Sequence, residues 1–194
     1  MKKSYFMRTF RLNGYLLLIS VFLFVADFCF KLIGIFLQGQ ENDVTVKYSN
    51  YLSKYVVIVQ HGLQQVLIIS ILIILLIILP EIITRILKDS VINIGKSIWL
   101  TFRIRKFLQM KATYEENENV ILRYNKAVNK AIVDVRNKSV VFTIKLPNEF
   151  GIHGMILDNK DVMRDEIANR LTEYSFSNIE RVKSYLRLDG TRIN

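Results

Sequence analysis

The chain has 194 residues, of which 51% are hydrophobic, and carries a formal net charge of +10. This length allows one modest soluble domain besides membrane segments, and a single cysteine excludes an intrachain disulfide framework. Residues 1–14 contain four basic and no acidic residues, residues 81–111 seven and two, and residues 112–194 thirteen and twelve. A nucleic-acid-binding domain usually carries its own basic face. We therefore do not expect direct contact with nucleic acid and interpret the charge as a signal of membrane topology.

The first long apolar segment is residues 15–37, which are mostly Leu, Ile, Val and Phe. As a helix, these 23 residues span about 35 Å, which is enough to cross a hydrocarbon core of about 30 Å. A basic region before an apolar run is also typical of a signal peptide, but this run exceeds the usual ~7–15 residues and no small-residue cleavage pattern follows. The sequence therefore predicts a basic cytoplasmic N-terminus at residues 1–14 and transmembrane helix 1 at residues 15–37.

The second apolar segment contains the uncharged run VLIISILIILLIIL at residues 66–79. Together with the apolar residues before it, this run predicts transmembrane helix 2 over residues 55–80, ending at Pro80. Lys- and Arg-rich flanks of membrane spans stay in the cytoplasm. We therefore expect the neutral loop at residues 38–54 to be extracytoplasmic and both termini to be cytoplasmic, as in a helical hairpin that crosses the cell membrane.

Two ionisable residues interrupt the first apolar segment. Asp27 and Lys31 are four residues apart and so face the same side of a helix. Charged groups within a span are costly and often functional, so one interpretation is a polar contact with a partner helix. The other is a neutralising pair within one helix, with Lys31 extending toward the membrane surface. Both residues are candidates for helix–helix contact.

Residues 81–111 mix apolar and basic side chains in the pattern of a basic amphipathic juxtamembrane helix. Anchoring to anionic lipids explains the basic residues without a role for DNA. Contact with single-stranded DNA near a pore is the alternative. The predicted membrane-interface anchors are Lys88, Lys96, Trp99, Arg103, Arg105 and Lys106.

Residues 112–194 have the patterns of a small cytoplasmic domain. Apolar residues at three- and four-residue steps predict a helix over residues 115–130. Apolar and polar residues alternate over residues 139–146, after a short β-prone segment at 131–135. These two segments predict a β-hairpin with its turn at residues 136–138.

The second half of this domain has two glycines followed by another helical pattern. Gly151 and Gly154 predict a loop, and a helix with an apolar stripe ending at Tyr174 follows it. Residues 179–184 predict a short turn or helix, and residues 185–188 a final strand whose two leucines point inward. The order α-β-β-α-(α)-β predicts helices on one side of a sheet. The expected fold class is a membrane protein with a two-helix transmembrane hairpin plus a small α+β cytoplasmic domain.

The sequence lacks the motifs of the common enzyme classes. No Walker-type glycine loop occurs, which argues against nucleotide hydrolysis. One cysteine, and two histidines predicted on opposite sides of the membrane, do not make a zinc site. His153 has no serine elbow around it. We therefore predict that the protein is not an enzyme, with no catalytic, cofactor-binding or metal-binding residues and no cofactor.

The cytoplasmic part contains AIVDVRNKSVVFTIKLP, then LDNKDVMRDEIANRLTEYSFS, then YLRLDGTRI, after a membrane hairpin and a linker helix. This order of elements resembles the membrane-proximal region of FtsK-type coupling proteins of conjugative plasmids and transposons of Gram-positive bacteria. In that family the hairpin anchors a hexameric DNA-pumping ATPase to a type IV secretion channel. Because Walker motifs are missing here, the resemblance implies an accessory protein that anchors, adapts or regulates such a machine.

These observations lead to two functional hypotheses. In the first, the hairpin forms a homo-oligomer in the lipid bilayer, and the cytoplasmic domain is a scaffold that recruits a cytosolic or membrane protein partner, such as a secretion ATPase or channel component. In the alternative, oligomerised spans permeabilise the membrane as a toxin or defence protein, with the cytoplasmic domain as a sensor. The polar pair Asp27 and Lys31 motivates this alternative.

Overall fold

The computed structural model describes residues 3–38, 43–111 and 118–193, which form two compact units. We call residues 8–81 the hairpin unit, and residues 3–7 with the described residues from 82 onward the sheet unit. Helices α1 (Tyr5–Gln38) and α2 (Asp43–Lys88) form the hairpin unit, and each has one end in the sheet unit. The two helices are long and apolar enough to cross a membrane, as the sequence predicts.

Both helices extend beyond the predicted spans. Most of the predicted loop at 38–54 is helical because α2 already begins at Asp43, while residues 39–42 lie outside the described residues. Pro80 does not end α2, which continues to Lys88. A proline in a helix removes one backbone hydrogen bond. The turns that follow are nevertheless held in place, because the guanidinium of Arg85 is fully buried in the sheet unit.

The segment predicted as one juxtamembrane helix is divided into two. Helix α2 ends at Lys88, and α3 (Ile92–Leu108) follows after three residues. The side chain of Asp89 explains the break, because its Oδ1 accepts hydrogen bonds from the Asn93 amide, at 3.0 Å, and from the backbone N–H of Asn137, at 2.6 Å. A short acidic side chain that binds nearby N–H groups favours a helix boundary over a helix interior.

The remaining elements of the sheet unit alternate between helices and short strands. The described part contains one five-stranded antiparallel sheet with the order β1-β2-β5-β3, and β4 also pairs with β5. Along the chain, these elements are α4 (Glu118–Val128), β1 (Ile132–Val135), β2 (Ser139–Lys145), α5 (Phe150–Asp158), α6 (Lys160–Arg170), β3 (Tyr174–Phe176), β4 (Glu180–Val182) and β5 (Tyr185–Arg192).

The predicted hairpin and last strand are confirmed, and they form the centre of the core. Phe142 pairs with Leu188 and Ile144 with Leu186, and all four side chains are fully buried on one face of the sheet. Helices α4, α5 and α6 cover this face with side chains that include Tyr124, Val128, Ile152, Ile156, Met163 and Ile167. The alternation of apolar residues along β2 and β5 therefore sets the core, as the period of a strand requires.

Three predictions for the second half were wrong. The helix with an apolar stripe predicted to end at Tyr174 stops at Arg170, and Tyr174 begins strand β3. Gly151 and Gly154 lie in helix α5, not in a loop. Two helical glycines cost about 1 kcal/mol each, but Ile152 and Ile156, one turn apart, are both fully buried. Burial of an isoleucine contributes about 1.5–3 kcal/mol, which outweighs the glycine cost. Residues 180–182 form a strand where a turn or helix is predicted.

The sheet is covered on both faces near β1 and β2, not on one face as predicted. Phe6 and Met7, in the first turn of α1, are buried within the sheet unit. The sulfur of Met7 lies 4.0 Å from the Oγ1 of Thr143, which is on the face of β2 opposite the core. Residues 5–14 of the predicted basic N-terminus are therefore helical, and this helix begins against the sheet.

Candidate functional site

Helix α3 binds the outer edge of strand β1 through polar side chains. Thr101 Oγ1 accepts from the backbone N–H of Val133 at 3.0 Å, and Ser97 Oγ accepts from that of Val135 at 2.8 Å. The Nε of Arg105 donates to the carbonyl of Ala131 at 2.8 Å. These three side chains replace the neighbouring strand that the edge of β1 lacks.

The spacing of these side chains explains why a helix can pair with a strand here. Ser97, Thr101 and Arg105 are four residues apart on α3, which corresponds to a rise of about 6 Å per step. Their partners on the β1 side are two residues apart, which corresponds to about 6.6 Å. The two repeats match over three contacts, which are separated by two steps. An exposed strand edge is a site for unwanted pairing, and α3 closes this one with side chains that are themselves buried, Ser97 and Thr101.

The end of α2 is fixed to the same strand by a buried ion network. Arg85 is fully buried, and its guanidinium is paired with the carboxylates of Asp89 and Asp134. It also donates to the carbonyl of Val135 at 2.6 Å. Asp134 accepts a further bond from Arg136 at 3.2 Å, so this carboxylate is shared by two cations. Removing one partner of such a network leaves a buried charge uncompensated.

The ionised form of Asp89 is stabilised within this network. Burial alone would disfavour the carboxylate, but the backbone N–H of Asn137 and the side chains of Arg85 and Asn93 all donate to it, and the pKa of Asp89 is lowered as a result. The amide of Asn93 also donates to Asn137 Oδ1 at 2.8 Å. The end of α2, the start of α3 and the β1–β2 turn are therefore joined through one carboxylate.

The hairpin unit has a polar contact of its own between α1 and α2. Ser20 Oγ and Ser70 Oγ are 2.8 Å apart. The amide of Gln64 donates to Asp27 Oδ1 at 3.2 Å, while Lys31 pairs with Asp27 Oδ2 at 2.7 Å. Asp27 thus takes part both in the pair within α1 and in a contact with a second helix, and that helix belongs to the same chain.

These contacts belong to a regular seam between two antiparallel helices. The less exposed positions of each helix recur at alternating three- and four-residue steps, which is the heptad pattern of a helix pair. On α1 they are Asn13, Leu16, Ser20, Leu23, Asp27, Phe30, Gly34 and Leu37, and on α2 they are Val56, Gln60, Leu63, Leu67, Ser70, Ile74 and Ile77. Small and polar residues at such a seam are typical of helices that pack within a membrane.

The outer faces of the same helices are apolar and exposed. In the most apolar windows of α1 and α2, 6% and 11% of the residues are buried. Phe22 and Leu76 illustrate this surface, with 70% and 71% of their side chains exposed. Within the apolar segments, Ser20, Asp27 and Ser70 therefore face the partner helix while large apolar side chains face outward, which is the reverse of a water-soluble helix pair.

The predicted membrane-interface anchors divide into two sets. Lys88, Trp99, Arg103 and Lys106 are exposed, and Lys96 is exposed but within 3.7 Å of Glu173. Arg105 differs from these because it is partly buried and its Nε binds the sheet edge.

Arg85 and Asp134, which the sequence alone does not single out, are central to the ion network at the end of α2. The stripe of Ser97, Thr101 and Arg105 at four-residue steps was the available signal for the edge contact.

The two histidines of the chain, both of them in the described part, lie in helices α2 and α5. No cluster of three or more His, Cys, Asp or Glu side chains among the described residues could hold a metal ion. His153 Nδ1 lies 3.2 Å from the carbonyl of Pro147, and His61 is bonded to Gln65 on the same helix, at 3.1 Å. The arrangement connects a pair of apolar helices to a folded domain through both α1 and α2.

Comparisons with known proteins add no relative. No protein family, no curated protein and no solved structure matches this chain. The resemblance to the anchor region of FtsK-type coupling proteins accordingly stays a prediction.

Proposed function

We propose that the protein is a non-enzymatic membrane-anchored adapter. In this proposal α1 and α2 cross the cell membrane as a hairpin, both ends lie in the cytoplasm, and the sheet unit recruits a protein partner there. The chain acts as a homo-oligomeric scaffold without a cofactor.

The inverted polarity of the hairpin unit is the observation that carries the proposal. An apolar surface of this extent, formed by residues such as Phe22 and Leu76, would be unstable in water, because exposed apolar patches of a soluble monomer rarely exceed a few hundred square ångströms. In a bilayer the same apolar surface contacts lipid chains instead of water. The seam with Ser20, Asp27 and Ser70 supplies the contacts that hold the two helices together.

Two observations favour a hairpin with both ends on the cytoplasmic side. The start of α1, through Met7, and the end of α2, through Arg85, both pack against the sheet unit, so a single folded unit holds both ends. The basic residues that flank the apolar segments, in residues 1–14 and 81–111, favour the cytoplasm for that unit.

An adapter role is favoured over a membrane effector by the way the polar groups are used. Asp27 is occupied by Lys31 and Gln64 within the hairpin, so it does not line an outer surface from which an oligomer could build a pore. An accessory role in a conjugative type IV secretion apparatus is one specific form of the adapter proposal, and the identity of the partner would test it.

Sidedness can be measured by cysteine labelling in whole cells. Both labelling variants are made in a Cys29→Ala background. Ser175→Cys places a thiol at an exposed position of the sheet unit. Gln40→Cys places one in the sequence segment that connects α1 to α2. We expect an impermeant maleimide to label the Gln40→Cys variant in intact cells and the Ser175→Cys variant only after lysis. Labelling of Ser175→Cys in intact cells, or recovery of the chain in the soluble fraction, would refute the anchored topology.

The adapter role needs a separate experiment. Purification in mild detergent is expected to recover either a homo-oligomer or a stoichiometric partner. A monodisperse monomer without an associated protein, together with membrane depolarisation on expression, would favour the effector alternative.

A further inference from the structure

Helix α3 has two faces of different character. Its inner face carries Leu100, Ile104 and Leu108, which are buried in the core, beside the polar side chains that bind β1. Its outer face exposes two large aromatic residues, Trp99 and Phe102, with 58% and 59% of their side chains accessible. Two large aromatic residues exposed side by side on one helix face form an apolar patch of the kind found at protein or membrane contact sites.

The charges around these aromatic residues have one sign. Helix α3 contains four basic residues and no acidic residue. Arg105 faces the sheet edge, whereas Arg103 and Lys106 are exposed beside the aromatic residues. An aromatic body flanked by cations is the combination that binds an interface with an apolar interior and anionic groups at its surface.

The structure also keeps this surface close to the point where α2 ends. The carbonyl of Val135 accepts from Arg85 of α2 at 2.6 Å and is 3.4 Å from Ser97 of α3. Trp99 follows Ser97 by two residues, about 3 Å along the helix axis, so it lies next to the contact that joins α3 to the end of α2. If α2 leaves the hydrocarbon at Pro80, as the sequence predicts, Arg85 lies about 7.5 Å beyond it, and Trp99 and Phe102 are held near the depth of the lipid headgroups.

We infer that the outer face of α3 binds anionic phospholipid headgroups, with Trp99 and Phe102 entering the interface and Arg103 and Lys106 pairing with phosphate groups. This inference rests on the proposed membrane anchoring and adds the class of lipid that the sheet unit contacts. It makes α3 a two-sided element that closes the edge of the sheet with one face and fixes the sheet unit to the membrane surface with the other.

Trp99 is the only tryptophan of the chain, so its fluorescence reports on this face alone. The experiment uses the full-length protein in nanodiscs of phosphatidylcholine, with or without phosphatidylglycerol. In the anionic discs we expect emission at shorter wavelength than in neutral discs, and quenching by lipids brominated on their acyl chains. Raising the salt concentration should weaken both effects, because the attraction is screened.

Charge-reversal variants provide the matched comparison. Arg103→Glu with Lys106→Glu is expected to abolish the shift and the quenching in anionic discs. Lys145→Glu with Lys183→Glu changes the net charge equally at exposed positions of β2 and the β4–β5 turn, and should leave both signals unchanged.

The outcomes separate this inference from the proposed function. If the protein co-elutes with the discs but Trp99 keeps the emission of a water-exposed indole in both lipids, the lipid inference is overturned while membrane anchoring stands. If the protein does not co-elute with the discs, anchoring itself fails. A shift that appears only when single-stranded DNA or an acidic protein is added to neutral discs would assign the surface to that partner instead.

Discussion

The guanidinium of Arg85, in the last turn of α2, is paired with the carboxylate of Asp134 on strand β1, 49 residues further along the chain. Both side chains are almost fully buried, and the neighbouring Asp89 completes the pairing. This contact lies where a helix predicted to leave the bilayer meets a folded domain. The last turn of α2 is therefore fixed to the edge of the sheet by buried polar contacts.

Replacement of Arg85 by methionine should destabilise the sheet unit strongly. The variant leaves Asp89 buried without the guanidinium of Arg85 and Asp134 with only Arg136, and removing one partner of a buried ion pair typically costs about 3–5 kcal/mol. The measurement is urea unfolding of the full-length protein in detergent, followed by near-ultraviolet circular dichroism. Arg123→Met is the control, because its pair with Glu149 is exposed, at 63% and 46% of the two side chains. That pair should contribute no more than about 1 kcal/mol, so similar losses for the two variants would contradict the role of the network.

The same network predicts an acid-sensitive contribution to stability. Because the pKa of Asp89 is lower in the folded protein than in the unfolded chain, its contribution is complete above the unfolded value, about 3.9. That contribution is lost as the pH falls through the lower folded value. The difference in melting temperature between the wild type and Asp89→Asn should therefore be largest near neutral pH and should narrow below about pH 4. A difference in melting temperature that stays constant from pH 7 to pH 3 would show that the ionised form of Asp89 does not contribute to stability.

The edge contact between α3 and β1 predicts effects on individual backbone groups. Thr101→Val and Ser97→Ala leave the N–H groups of Val133 and Val135 without their acceptors. An unsatisfied buried donor costs about 1–3 kcal/mol. We expect amide hydrogen exchange at Val133 or Val135 to accelerate in the corresponding variant, and Thr172→Val, at an exposed position, to leave it unchanged. Exchange that accelerates equally over the whole sheet would indicate a global loss of stability instead.

The sequence was sufficient for the features that depend on local periodicity. The uncharged run from Val66 to Leu79 predicts the apolar central part of α2. The alternation along β2 and β5 predicts that Leu186 and Leu188 point inward. Such patterns can be recognised because a single environment, lipid or core, acts on every repeat.

The features that the sequence did not predict depend on contacts between distant residues. Arg85 was counted only among the basic residues of a membrane flank, because nothing near it in the sequence shows that Asp134 is its partner. Helix α5 was missed because its two glycines predict a loop, and only the core packing of Ile152 and Ile156 outweighs them. The pattern of residues 81–111 predicts only an amphipathic surface helix. In the structure, Ser97 and Thr101 of α3 also bind the backbone at the edge of β1.

One glycine of β5 is required by close packing. A Cβ added at Gly190 would lie 2.5 Å from Cε1 of Phe176, whose ring covers the strand. Gly190→Ala should displace this ring and destabilise the sheet unit by about 1–3 kcal/mol, as overpacking does. Gly154→Ala is the opposite control, because no atom lies within 4 Å of its added Cβ. In helix α5 that substitution should stabilise the protein by about 0.5–1 kcal/mol. Thermal unfolding should show a lower melting temperature for Gly190→Ala and a higher one for Gly154→Ala. A stabilised Gly190→Ala variant would show that the ring of Phe176 can move at no cost.

The register of the hairpin unit can be tested by a disulfide. Moving seven residues along α1 from Ser20 to Asp27 corresponds to moving back six residues along α2 from Ser70 to Gln64, as an antiparallel pair requires. Because the Oγ atoms of Ser20 and Ser70 are 2.8 Å apart, cysteines at these positions should have Cβ atoms near the distance that a disulfide needs. In a Cys29→Ala background, the double variant Ser20→Cys/Ser70→Cys should form an intrachain bond on mild oxidation in membranes. The bond is detected by the mobility of the unreduced chain in electrophoresis.

The control for this disulfide keeps both helices and moves the cysteines to their outer faces. Phe22 and Leu72 are exposed, with 70% and 54% of their side chains accessible. The double variant Phe22→Cys/Leu72→Cys should therefore form no intrachain bond under the same conditions. If this outer pair oxidised as readily as the seam pair, α1 and α2 would not be held in one register. The contact between Asp27 and Gln64 would then not define how the two helices pack, and the distribution of polar and apolar residues would no longer support a hairpin with this seam.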